Sequence, residues 1–208
     1  MVRPSRPEVR SLLIERAAGM LARREAISLR GLVAGTGVST MAVYTYFDGM
    51  SGLLGAVRQE GFSRLASRLA ALTATDDPVS DLAAAGAAYA ASARHSPDLY
   101  ALMFDGSLPL PDGQAADATL QHIIDTVQRA LDSERFDAGI DAVAFANELW
   151  MLGHGACMLF VTGVLPFERV EPIVTSGLAR LYQAAGDGPE VARRSLGRGW
   201  ARGLGARG

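Results

Sequence analysis

Between residues 39 and 54 the chain reads STMAVYTYFDGMSGLL. From Val43 to Phe47 every residue is β-branched or aromatic, the set that intrinsic preference favours in strands. A five-residue strand with no partner in the flanking sequence would leave its backbone donors and acceptors unpaired. The stretch is therefore expected to be helical against its own preference, and the first third of the chain has to be read around that constraint.

On the N-terminal side, Ser5 and Glu8 form an S-x-x-E capping box, and Val9, Leu12, Leu13, Ala17, Met20 and Leu21 recur at helical spacing to about Arg24. Ser28 caps a short second helix that turns Leu29, Leu32 and Val33 inward, and the GTG of residues 35–37 stops it. Ser39 is the expected N-cap of a third helix to Phe47, Asp48 and Gly49 break the chain, and Ser51 is the expected cap of a long fourth helix over 51–72. If 39–47 is helical, Val43 and Phe47 sit four apart and face inward with Val38, while Thr40, Met41, Tyr44 and Thr45 share the opposite side. Hydroxyls, a thioether and an aromatic ring on an outer face do nothing for folding. Two short helices joined by a glycine turn, with such a face on the second and Arg30 early in the first, fit a helix-turn-helix whose second helix enters the major groove.

At these residues, ISLRGLVAGTGVSTMAVYTYFDGMSGLLGAV (27–57), the chain resembles the DNA-binding motif of the tetracycline-repressor (TetR) family. That motif reads roughly hydrophobic-T/S-hydrophobic-R, then L-A, a G-V-S turn, L-Y-x-H/Y-F, and a loop with K-x-x-L. The resemblance covers about the first 60 residues and implies that Arg30, Ser39, Thr40, Met41, Tyr44, Thr45 and Tyr46 contact a double-stranded DNA operator. Met50 stands where the family usually carries lysine, so a phosphate contact and a helix-start charge lack their usual residue. Tyr44 and Tyr46 offer rigid arms ending in hydroxyls suited to phosphate oxygens, and Ser39 and Thr40 add hydroxyls at a helix start. Base reading would fall to Arg30 towards guanine and to Met41 and Thr45. The bland alternatives are that Tyr46 packs on the first helix and that Arg30 is a surface ion-pair partner.

Charge is segregated along the chain. Residues 1–75 carry ten Arg against five acids, residues 76–190 five Arg against seventeen acids, and the remainder five Arg and no acid. A basic front end on an acidic body suggests that the front end meets the polyanion. All twenty cationic side chains are Arg, so each cationic phosphate contact is a planar guanidinium fork. The lone Cys157 excludes an internal disulfide and a Cys-based zinc site and suits a reducing, cytoplasmic location. No signal peptide is legible near the start. The most apolar run, 149–165, is short for a membrane span and contains His154 and three glycines, which favours a buried helix over a membrane partner.

From Pro78 onward the pattern is helical: an alanine-rich helix before Pro97, the short amphipathic PDLYALMF, the loop DGSLPLPDGQ, then helices over 115–132, 138–164 and 167–185. The last stretch, RRSLGRGWARGLGARG, is rich in Arg and Gly and is expected to be mobile, with Trp200 its one large anchor. The helix over 138–164 is apolar around much of its circumference. Covering it calls for a second copy, and a homodimer through helices 138–164 and 166–185 would present two recognition helices to one face of DNA. ELWMLGHGACML also resembles the Trp-His-Gly (WHG) signature of one type of TetR C-terminal domain, with Trp150, His154 and Gly155 in place. Trp150, His154 and Met158 share one helical face, and with Tyr100, Met103 and Phe104 they are the expected wall of a ligand pocket. The alternative makes His154 a core histidine bonded to a neighbouring helix while Trp150 fills the bundle. His95, His122 and His154 lie on different helices without metal-ligand spacing, and no metal or cofactor is expected.

The sequence thus predicts an all-α protein. Residues 1–50 form a three-helix helix-turn-helix DNA-binding domain, residues 51–187 a helical ligand-binding and dimerisation domain entered through helix 51–72, and residues 188–208 a mobile tail. The expected function is that of a homodimeric repressor, released from a palindromic operator by a small apolar effector. A constitutive DNA-binding regulator is the alternative. A small helical enzyme using the Trp150 and His154 pocket is disfavoured, since no nucleophile or cofactor motif is present.

Overall fold

The computed structural model describes residues 6–205, and every regular element in them is an α-helix. In chain order these are α1 (Arg6–Ala22), α2 (Leu29–Val33), α3 (Met41–Phe47), α4 (Met50–Ala70), α5 (Pro78–His95), α6 (Pro97–Met103), α7 (Gln114–Asp132), α8 (Ala142–Val161), α9 (Phe167–Ala184) and α10 (Pro189–Gly205). The expected capping box at Ser5 lies outside the described residues. The all-α reading holds, and the strand-preferring run from Val43 to Phe47 is helical.

Two compact units result, one comprising the chain to Arg64 with His95–Ala115, the other Leu65–Arg94 with the chain from Ala116. In the first unit Leu13, Leu32, Val43, Leu53 and Val57 have no exposed surface and form the centre of the core. Ser28 caps α2 as expected, its Oγ accepting from the Gly31 N–H at 3.1 Å. The Thr36 hydroxyl donates to the Val33 carbonyl at 2.7 Å and accepts from the Val38 N–H at 3.1 Å, which shapes the turn between α2 and α3. Ser39 is not the cap of α3. Thr40 takes that position without a side-chain bond, and Ser39 supplies its carbonyl to the Ala42 N–H. Nor does Ser51 cap α4, which already begins at Met50. Asp48 (φ 57°) and Gly49 (φ 101°) make the break between α3 and α4 so tight that a Cβ on Gly52 would overlap the Phe47 carbonyl.

The first unit extends beyond the expected 1–50 because α4 recruits α6 and the loop after it. Arg58 on α4 donates from Nε to the Met103 carbonyl at 2.8 Å and from Nη1 to the Leu108 carbonyl at 2.7 Å. Phe62 meets Phe104 edge to face with centroids 5.5 Å apart, and Gly61 leaves the space that Met103 occupies.

In the second unit the expected mobile tail is instead α10, a helix held on two kinds of contact. The first is close approach: a Cβ on Gly199 would overlap the Ser80 carbonyl, and one on Gly203 the Ala84 carbonyl. Glycines on α10 and alanines on α5 therefore let the two backbones meet. The second is charge. Asp77 accepts from Arg135 (2.8 Å), Arg198 (2.7 Å) and the Ser195 hydroxyl (2.7 Å). Asp81 accepts from Arg129 (3.0 Å), Arg202 (2.5 Å) and the Thr75 N–H (2.8 Å). Arg135 also forks onto Asp187 at 2.8 and 2.7 Å. Tail arginines that looked like a solvated basic run thus serve as partners for the acids at the start of α5. Trp200 anchors α10 on α9 through an Nε1–H bond to Glu171 at 2.8 Å.

At the other long helix, Asp141 caps α8 by accepting from the Val143 and Ala144 N–H groups, so α8 starts four residues later than the periodicity suggested. Among the described residues no helix is long and apolar enough to cross a membrane.

Gly199→Ala is expected to lower stability by about 2–3 kcal/mol, because the added methyl forces α10 away from α5. Gly197→Ala, where a Cβ meets nothing within 4 Å, should be neutral or stabilising by about 0.5–1 kcal/mol. Urea unfolding followed by circular dichroism separates the two. The aspartates set an acid limit. Burial opposes ionisation of Asp77, but the Ser195 hydroxyl, the Ser80 N–H and Arg135 outweigh it and hold its pKa below the ordinary aspartate value. Asp81 is likewise held low, burial being outweighed by the Thr75 N–H, Arg202 and the Thr75 hydroxyl. With native values depressed, this stabilisation is fully present above about pH 4 and is lost as pH falls through the native values. Melting temperature should drop more steeply below pH 4 in wild type than in Asp77→Asn, which begins lower at pH 7.

Candidate functional site

Two places in the fold bring together residues singled out in the sequence, one in each unit. The first is the outer face of α3. Val43 is fully buried, and Phe47, buried too, carries the Arg10 guanidinium over its ring at 5.4 Å. Those inward contacts fix the opposite side outward, with Met41 63% and Tyr44 53% exposed and Thr45 beside them. The Thr45 hydroxyl donates to the Met41 carbonyl at 3.0 Å, so its oxygen can still accept a hydrogen bond. Ser39 is exposed and Thr40 half-buried at the start of the helix. Arg30 is exposed and makes no ion pair with any described residue.

Tyr46 and Met50 lie differently. Both are half-buried and packed against the core of the first unit. Methionine at position 50 adds apolar contact where lysine would add charge. The side of α3 presented to solvent is therefore Met41, Tyr44 and Thr45, with Ser39 exposed just ahead of the helix, and chemically it offers one phenol, hydroxyls and a thioether; the exposed Arg30 of α2 adds a guanidinium to the same unit.

The second place is a cavity inside the other unit. Its volume is about 50 Å3. Its wall includes Leu82 and Tyr89 from α5, Trp150 and Phe160 from α8, and Val174 and Tyr182 from α9; Trp200 of α10 closes one side. Leu69, near the end of α4, also belongs to the wall.

Of the residues expected to form a pocket, Trp150 lines this cavity, while His154 and Met158 do not. His154 stacks on Trp150 with centroids 5.6 Å apart, and its Nδ1 lies 3.2 Å from the Tyr89 hydroxyl of α5. Burial lowers the His154 pKa below the usual imidazole value. In the neutral tautomer protonated at Nε2, Nδ1 accepts the Tyr89 proton. The histidine thus bonds across to a neighbouring helix. Tyr100, Met103 and Phe104 sit in the first unit, Tyr100 and Met103 buried and Phe104 against Phe62 and Tyr100.

Sequence reasoning missed Tyr89, Tyr182 and, as a wall residue, Trp200. Tyr89 stands in the alanine-rich α5 and Tyr182 in the amphipathic α9, neither with a local motif around it, and Trp200 lies in a stretch that reads as a tail. Among the described residues no group of three or more His, Cys, Asp or Glu is placed to hold a metal ion.

A search of curated protein sequences finds no match. A family model described as the tetracyclin repressor-like, C-terminal domain matches residues 82–188, just over half of the chain. That description does not carry the Trp-His-Gly subtype. Among solved structures, RolR in complex with resorcinol is 18% identical with a TM-score of 0.66, the match covering 93% of this chain and 95% of that one. A protein of unknown function from Rhodococcus sp. RHA1 is 26% identical with a TM-score of 0.72, covering 89% and 97%. A tetR-family transcriptional regulator from Streptomyces coelicolor is 20% identical with a TM-score of 0.62, covering 92% and 90%. With the family model spanning most of the second unit and the same fold found along nearly the whole chain, the protein belongs to the tetracycline-repressor (TetR) family.

Proposed function

We propose that the chain is a homodimeric, ligand-responsive DNA-binding regulator, acting as a repressor that a small apolar effector releases from a palindromic operator. The observation that carries the reading is the outer face of α3, where Met41 and Tyr44 are held in solvent by the burial of Val43 and Phe47 behind them. Tyr44, Ser39 and Thr40 would position the helix on phosphates, and Arg30, Met41 and Thr45 would read base edges. Tyr46, half-buried against the core of the first unit, would offer DNA less surface than Tyr44.

The cavity supports effector control over constitutive binding, since a body serving only to dimerise has no use for one. RolR, a protein of the same fold, has been solved with resorcinol. Helix α4 carries residues of both units, Met50–Arg64 in the first and the rest in the second, where Leu69 reaches the cavity wall. An effector that prefers a conformation with α4 displaced would shift the population away from the DNA-competent form, by no more than its own difference in affinity for the two.

A homodimer is supported by apolar surface on α8 and α9. Val143, Met151 and Leu159 of α8 and Ile173 of α9 are exposed. A second copy packed on these helices would cover them.

Anisotropy of labelled DNA from upstream of the protein's own coding sequence, against random competitor at two salt concentrations, tests the DNA reading. Tyr44→Phe should weaken binding to specific and random DNA alike by about 1 kcal/mol, while Arg30→Ala should also reorder sequence preference. Equal affinities for wild type and Tyr44→Phe across the salt series would remove the phosphate role. Sedimentation velocity should find a dimer for wild type and a monomer for Met151→Arg combined with Ile173→Glu, the monomer binding DNA at least tenfold more weakly; a monomeric wild type at micromolar concentration contradicts the dimer.

A further inference from the structure

Tyr182 of α9 is 1% exposed and belongs to the cavity wall. Its ring lies 6.0 Å from that of Phe136. Its hydroxyl forms no hydrogen bond with any described residue and retains a trace of accessible surface. Other polar groups in the wall are committed: the Tyr89 hydroxyl to His154 at 3.2 Å and the Trp200 Nε1–H to Glu171 at 2.8 Å. Buried hydroxyls are rarely left without a partner, because the donor loses its hydration and gains nothing in return. Tyr182 is therefore a polar group at an apolar site whose bonding capacity the protein does not use.

The rest of the wall narrows what could use it. Among the described residues no Asp, Glu, Lys, Arg or His lines the cavity. Arg94 is engaged over the Phe167 ring at 4.8 Å and is not a wall residue. A carboxylate or ammonium would shed its hydration with no counter-charge to meet it. Volume sets an upper bound: about 50 Å3 is available, against about 150 Å3 for an apolar cavity that binds benzene. A single ring already has to spread the side chains around it. Burial also pushes the Tyr182 phenol pKa upward, so it remains a neutral donor and acceptor.

We propose that the cavity takes a compact, uncharged single-ring compound bearing one hydroxyl or carbonyl group, and that the Tyr182 hydroxyl is the specificity-determining contact to that oxygen. This rests on the reading of the cavity as the effector site, and goes beyond it in naming the ligand class and the residue that selects it.

The two tryptophans of the chain, Trp150 and Trp200, both line the cavity, so intrinsic fluorescence reports its occupation. The full chain and Tyr182→Phe, which keeps the ring and removes only the oxygen, are titrated with cyclohexanol, methylcyclohexane and cyclohexanecarboxylate at pH 7, with thermal shift as a second readout. The expected result is that Tyr182→Phe weakens cyclohexanol about tenfold, leaves methylcyclohexane unchanged or tighter, and that the carboxylate does not bind either protein. If both neutral rings bind both proteins with the same affinities, the Tyr182 contact is overturned while the effector site stands. Tighter binding of the carboxylate than of either neutral ring overturns the uncharged class. If none of the three alters fluorescence or melting temperature, the effector-site reading falls together with the ligand class.

Discussion

Val43 and Phe47 are held in the first unit's core, and the geometry of α3 follows from that burial. Five consecutive β-branched or aromatic residues each cost up to about 0.5 kcal/mol in a helix relative to alanine, roughly 2–3 kcal/mol in all. Burying Val43 and Phe47 returns about 2 kcal/mol each, and the Arg10 guanidinium over the Phe47 ring adds a further attraction. Tertiary packing thus outweighs local preference by a small margin. Because the two buried positions are four apart, Met41, Tyr44 and Thr45 have no freedom to turn inward, and a helix with poor propensity presents a fixed chemical surface.

The second unit solves a different problem. Alanine-rich α5 has little side-chain surface to bury, so its stability depends on bringing other backbones close. Gly199 and Gly203 allow α10 to do so, and Asp77 and Asp81, which would be costly to bury alone, are met by arginines from α7, α10 and the segment after α7. Neither device is sufficient by itself: close approach without the arginines would bury unpaired carboxylates, and the arginines without the glycines could not reach them with the helices in contact. Seating α10 in this way delivers Trp200 to the cavity wall, so the helix beyond the family-matched segment helps to define the site.

Periodicity and caps made most helices legible from the sequence, including the inward and outward sides of α3 and the cap at Ser28. Less legible was anything that depends on distant partners. The Gly and Arg content of the last eighteen residues reads as a solvated tail until the alanines and acids of α5 are placed opposite it. Tyr100, Met103 and Phe104 look like pocket residues beside the chemistry of α8, but Arg58, 45 residues earlier than Met103, draws them into the first unit. Trp150 was found in the wall because aromatic residues on an apolar helix tend to line whatever space exists there. Tyr182 could not be picked out, since a tyrosine in an amphipathic helix carries no mark of whether its hydroxyl will find a partner.

The central claim is that the outward side of α3, presented twice by a symmetric dimer, reads DNA. Selection of the full-length protein against a random double-stranded library, followed by sequencing of the bound fraction, tests it most directly. The account predicts enrichment of an inverted repeat whose half-sites lie about one helical turn apart, about 34–36 Å, or a multiple of it, with affinity falling steeply as salt rises. Enrichment of no sequence above the starting library, or of a single half-site without symmetry, would contradict it.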